Sequence, residues 1–177
     1  ALVRAHAGQV QALFIVVGCL RQRQEGVLGL AVEFQRLGGA LTAAPPPELF
    51  SRQFERLVPL GEPILCIHPS SEVSGTVRSA SVAALDFPGA DIRIIDTRTI
   101  GSPLATIVQF AAEWAEAGLD ADTIQSHINQ MIPKSVIYFL VSSLEFLAKG
   151  GRIGGAAALF GSVLQVKPIL IFHNGRV

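Results

Sequence analysis

Ile64, Leu65, Cys66 and Ile67 form an unbroken apolar run, closed in by Pro63 before it and by His68-Pro69 after it. A run without polar alternation leaves no face for solvent, so it reads as a buried strand of a parallel sheet with helices on both sides. After the strand come Ser70, Ser71, Glu72, Val73, Ser74, Gly75 and Thr76, and then Val77, Ala80, Val82 and Ala84 at helical spacing. A helix start carries free N–H groups and a partial positive charge. Hydroxyls from Ser70, Ser71, Ser74 and Thr76 around Gly75 can therefore complete a site for a carboxylate or a phosphate. The same residues are also ordinary helix caps, and this stretch alone does not separate the two readings. Its glycine spacing matches neither G-x-G-x-x-G nor G-x-x-x-x-G-K-[ST], so a dinucleotide or nucleoside triphosphate is not indicated.

The rest of the chain supplies the layers that such a strand requires. Residues 10–17 read as a strand, residues 30–37 as a short helix stopped by Gly38-Gly39, and Pro47 opens a helix with Leu49, Phe50, Phe54 and Leu57 as its apolar stripe. Residues 91–95 read as a second parallel strand ending in Asp96-Thr97, which places both residues where open α/β sheets bind ligands. Asp and Thr also end strands and start turns for purely structural reasons. A helix follows from Ser102 to Ala117, with Leu104, Ile107, Val108, Ala111 and Trp114 turned inward, and another runs from Ala121 to Met131. Residues 135–141 (SVIYFLV) then read as a further strand of the same sheet.

These elements predict a wound α/β domain with a mainly parallel sheet and helices on both faces, over residues 1–142. Residues 143–177 read as the start of a second α/β domain. They comprise a short helix, the turn Lys149-Gly150-Gly151-Arg152, a small-residue helix and a strand that runs into an Asn174-Gly175 hairpin turn. Ala1 in place of Met, and Val177 at the end of a strand-like run, read as cut ends, and the first domain is expected to lack its first strand. Arg152 follows two glycines and can approach an anion closely, or it can simply be solvated.

Charge and cysteine usage narrow the function classes. Lys plus Arg equals Asp plus Glu at 14 each, with no basic block, which argues against a nucleic-acid partner. Charged residues make up only 16%, so apolar surface is expected to face a ligand or another part of the protein. Cys19 and Cys66 each sit in an apolar run, as small buried hydrophobes do in a reducing cytoplasm. No apolar run approaches a membrane span, so stable membrane insertion is not expected, and neither a metal nor a cofactor is indicated.

Three motifs then resemble the DegV family of bacterial fatty-acid-binding proteins. They are LEFLAKGGRIGGAAALFGSVLQVKPIL, SSEVSGTVRSA and IDTRTIGSPL, within a resemblance that spans about residue 24 to residue 177. The resemblance implies a long-chain fatty acid between two domains, its carboxylate held by Thr42 and Ser74, with Arg152 standing for the arginine of G-G-R-I. In LTAAPPP, Ala43 and Pro46 occupy positions where the family usually carries hydroxyls. The resemblance also implies a non-catalytic carrier that presents its acyl chain to a separate fatty acid kinase. Ser71, Gly75 and Thr76 complete the expected head-group site. Phe139, Ile153, Leu159, Phe160, Leu164 and Ile169 are the candidate tunnel lining. Two other functions remain open on the sequence: an acyl hydrolase using Ser74, with His68 nearby in the chain, and a binder of a phosphorylated ligand at the same helix start.

Overall fold

The computed structural model describes residues 15–18, 44–159 and 168–177, the first group as a strand only. Thr42, Cys19, Phe160, Leu164 and the helix expected at residues 30–37 lie outside the described residues. Strand β1 (Ile15–Gly18) precedes helix α1 (Pro47–Leu57), strand β2 (Ile64–His68), helix α2 (Thr76–Ala84) and strand β3 (Ile92–Asp96). Helices α3 (Gly101–Glu116) and α4 (Ala121–Met131), strand β4 (Ile137–Leu140), the short helix α5 (Glu145–Lys149) and strand β5 (Ile169–Phe172) complete the order.

Strand β2 is the centre of the main sheet, parallel to β3 and antiparallel to β1. All five of its residues are buried, and successive side chains serve opposite layers because a strand has a period of two. Ile64 and Cys66 pack with Phe50 and Phe54 of α1 and with Ala80 and Ala83 of α2. Leu65 and Ile67 pack with Leu104, Ile107, Val108 and Ala111 of α3 and with Ile124 and Ile128 of α4. The α/β architecture with a parallel pair and helices on both faces is the one expected from the apolar run.

Local chemistry explains where these helices begin. Pro47 opens α1 with Glu48 in the first turn, and Asp120 caps α4 by accepting from the Thr123 backbone N–H at 2.8 Å. Arg93 of β3 ties the sheet to α4, pairing with Asp91 at 2.8 Å and with Asp122 at 2.6 Å. In α2 the buried face is Thr76, Ala80 and Ala83, whereas Val82 is exposed. Counting the helix from Thr76 puts those three on one stripe and turns the expected Val82 away from it.

The strand expected to extend the main sheet does not join it among the described residues. β4 pairs antiparallel with β5, Ile137 opposite Phe172 and Leu140 opposite Ile169, in a separate two-stranded sheet. Its inner face holds Leu170 and Phe172, both buried, while Tyr138, Leu140, Ile169 and Ile171 stand exposed on the other. An apolar run signals two greasy faces but does not say which layer covers them. Trp114 is only partly buried, stacked on Phe110 at 5.7 Å and edge-on to His127 at 4.7 Å. No helix among the described residues is long and apolar enough to cross a membrane.

Candidate functional site

β2 and β3 end side by side, His68 in register with Asp96, and the loop from Pro69 to Gly75 rises from that edge into α2. Ser70 is fully buried at the base of this loop. Its backbone oxygen accepts from the N–H groups of Val73 at 3.2 Å and Ser74 at 3.0 Å, and its own N–H donates to Thr99 at 2.9 Å. The loop is thus folded around Ser70 before any ligand is considered.

Of the expected head-group residues, Ser74, Gly75 and Thr76 stand at the end of this loop and Arg152 bonds to it. The half-buried Ser74 donates its hydroxyl to Thr76 Oγ1 at 3.2 Å, and Thr76 is buried. Gly75 is the N-cap of α2 and no side chain caps the helix, so neither hydroxyl acts as a helix cap and the first N–H groups are not spent on one. A Cβ placed on Gly75 would lie 3.3 Å from the Cβ of Ala44, which sets Ala44 against the helix start. Arg152, exposed on its glycine turn, donates Nε to the backbone oxygen of Val73 at 3.0 Å, and its Nη1 bonds the carbonyl of Gly150. Segments more than a hundred residues apart therefore meet at one short loop.

Ser71, Asp96 and Thr97 have their hydrogen bonds committed within the protein. The Ser71 hydroxyl and backbone N–H both donate to the Asp96 carboxylate, at 2.5 and 3.3 Å, and the Arg98 N–H donates to it at 2.9 Å. Thr97 is buried and donates its hydroxyl to the backbone oxygen of His68 at 2.7 Å. Asp96 and Thr97 thus orient the two loops at the sheet edge.

His68 does not serve Ser74. It is fully buried, and its Nε2 lies 3.0 Å from Cys66 Sγ. Burial holds the imidazole down at about 4, against a smaller upward pull from Asp96, and pushes the Cys66 thiol up to about 12. Both groups are neutral at pH 7, so they are an inert core pair and not a thiolate–imidazolium nucleophile. This geometry disfavours the hydrolase reading, which needs a histidine at the Ser74 hydroxyl.

The candidate lining residues fall in different places. Phe139 faces the inner side of the β4–β5 sheet opposite Leu170, whereas Ile169 faces the exposed side opposite Leu140. The two candidates therefore stand on opposite faces of this sheet, because successive strand positions point to opposite faces. Ile153 is half-buried and Leu159 exposed. A groove of about 330 Å³ lies elsewhere, between α3 and α4, and is lined by Phe110, Trp114, His127, Gln130, Met131 and Lys134. None of the sequence-predicted site residues is among them.

Comparison with known proteins places this geometry in context. Residues 33–177 match the profile of a family described as uncharacterised proteins of the DegV family. A DegV domain-containing protein of Streptomyces coelicolor is 40% identical over 149 residues, which are 84% of this chain and 53% of that protein. A solved structure described as fatty acid binding of a DegV family protein from Thermus thermophilus is 34% identical. It has a TM-score of 0.70 and covers 83% of this chain and 54% of that one. A stearic acid-binding protein from Eubacterium ventriosum is 30% identical with a TM-score of 0.67, over 75% of this chain and 47% of that one. The chain spans about half the length of the relatives it matches.

Proposed function

This chain belongs to the DegV family, and on that premise we propose that the intact protein binds a long-chain fatty acid. In this reading the acyl tail lies in an apolar channel between two lobes. The carboxylate is held at the start of α2 by Ser74, Thr76 and the N–H groups around Gly75, with Thr42 and Arg152 as further partners. Ser71 contributes indirectly, through its hold on Asp96. The observation that carries the reading is the convergence of Ala44, Gly75 and Arg152 on one uncapped helix start. The fatty acid-binding descriptions of the similar structures support the ligand class.

The energetics suit a carrier. Burying a methylene is worth about 0.8 kcal/mol, so a tail of about 14 supplies on the order of 11 kcal/mol before association costs. The head group then needs only orientation and charge neutralisation. The exposed apolar face of Tyr138, Leu140, Ile169 and Ile171 is the wall we assign to the tail. In the same reading the protein is the non-catalytic subunit that presents the acyl carboxylate to a separate fatty acid kinase.

Ser74→Ala and Arg152→Ala are each expected to weaken palmitate binding about tenfold or more, since a hydrogen bond to a charged group is worth roughly 1.5–3 kcal/mol. Isothermal titration of the intact protein checks this, with thermal unfolding as the control for folding. Unchanged affinity in both variants would remove the head-group site from this loop.

A further inference from the structure

The hairpin turn at Asn174–Gly175 is docked onto the loops that follow β2 and β3, far from it in sequence. Ser70 donates its hydroxyl to the Gly175 carbonyl at 2.6 Å while accepting from the Glu72 N–H at 3.2 Å. Arg98, itself in the left-handed region at φ 48°, donates Nη2 to the Asn174 carbonyl at 2.5 Å. The fit is close. Gly175 has φ 95°, and a Cβ there would lie 3.0 Å from Ser70 Oγ, 3.2 Å from Glu72 Cγ and 3.3 Å from Arg98 Nη2. Only glycine satisfies both the backbone conformation and the space.

We propose that Ser70 and the Asn174–Gly175 turn form a positioning latch that sets the head-group site's preference for a carboxylate over an uncharged head group, without touching the ligand. Ser70 is the node through which this acts. Its hydroxyl grips the turn, and its backbone oxygen fixes the N–H groups of Val73 and of Ser74, the latter itself a proposed carboxylate donor. Arg152 bonds the Val73 carbonyl, so the same loop is tied to both the glycine turn and the hairpin turn. Release of the hairpin frees the loop to rotate its donors away from the anion. An alkanol, held by its tail, is insensitive to that rotation.

This inference rests on the fatty acid reading above, and its test separates the two. Affinities of the intact protein for palmitate and for 1-hexadecanol are measured in the wild type, in Ser70→Ala and in Arg98→Ala. Arg98 is exposed, so its variant reports on the latch without opening the core. The expected result is a palmitate dissociation constant raised about tenfold in both variants, with that for hexadecanol unchanged within about twofold. An acid-to-alcohol ratio equal to the wild type in both variants overturns the latch alone, including the case where both affinities fall together through destabilisation. A wild type that binds neither ligand overturns the fatty acid reading and the latch with it.

Discussion

Phe50→Ala is expected to cost about 3–5 kcal/mol of stability, the range for emptying a fully buried aromatic site that cannot collapse. Phe50 and Phe54 are both fully buried, one turn apart on α1, and reach Ile64 and Cys66 on one face of β2. The Phe50 ring also lies 5.7 Å from that of His68, so its loss leaves space directly beneath the loop that carries Ser70 and Ser74. Urea denaturation should show a lower midpoint at an unchanged slope. A loss under about 1 kcal/mol would mean that α1 is not the layer covering this side of the sheet.

The second large effect is a dependence of stability on pH that comes from His68. Its value falls from 6.5 in the unfolded chain to about 4 in the folded protein because burial disfavours the charged ring. Above pH 6.5 the ring is neutral in both states and the folded protein carries no penalty. Between about 6.5 and 4 the unfolded chain binds the proton and the folded one does not, so stability falls as the pH falls through this window. The loss approaches about 3 kcal/mol near pH 4. His68→Gln, which cannot titrate, should flatten this part of the profile measured by denaturant unfolding at a series of pH values. A variant profile parallel to the wild type would assign the acid sensitivity to other groups.

The parts of this molecule that were readable from sequence are those decided by local pattern. The run from Ile64 to Ile67 is buried because no position in it can face water, and its two faces recruit α1 with α2 on one side and α3 with α4 on the other. Pro47, Asp120 and the Asn174-Gly175 pair mark their turns and caps through backbone chemistry that needs no partner. The fate of β4 was not readable, because Ile137, Tyr138, Phe139 and Leu140 satisfy either sheet and only the pairing with β5 decides between them. The same limit applied to the hydroxyl cluster. Ser70, Ser71, Ser74 and Thr76 look alike in sequence, yet one grips a carbonyl 105 residues away, one serves Asp96, and the last two pair with each other.

In the proposed reading the uncapped start of α2 supplies the head-group donors and Arg152 the charge. Carriage of an acyl chain is the central claim, and the most direct test is native mass spectrometry of the gently purified intact protein, followed by identification of whatever is extracted from it. The expected result is one long-chain carboxylic acid per protein, exchangeable with added palmitate and reduced in Ser74→Ala. A phosphorylated polar ligand at that stoichiometry, or a protein that stays empty in the presence of palmitate, would contradict it.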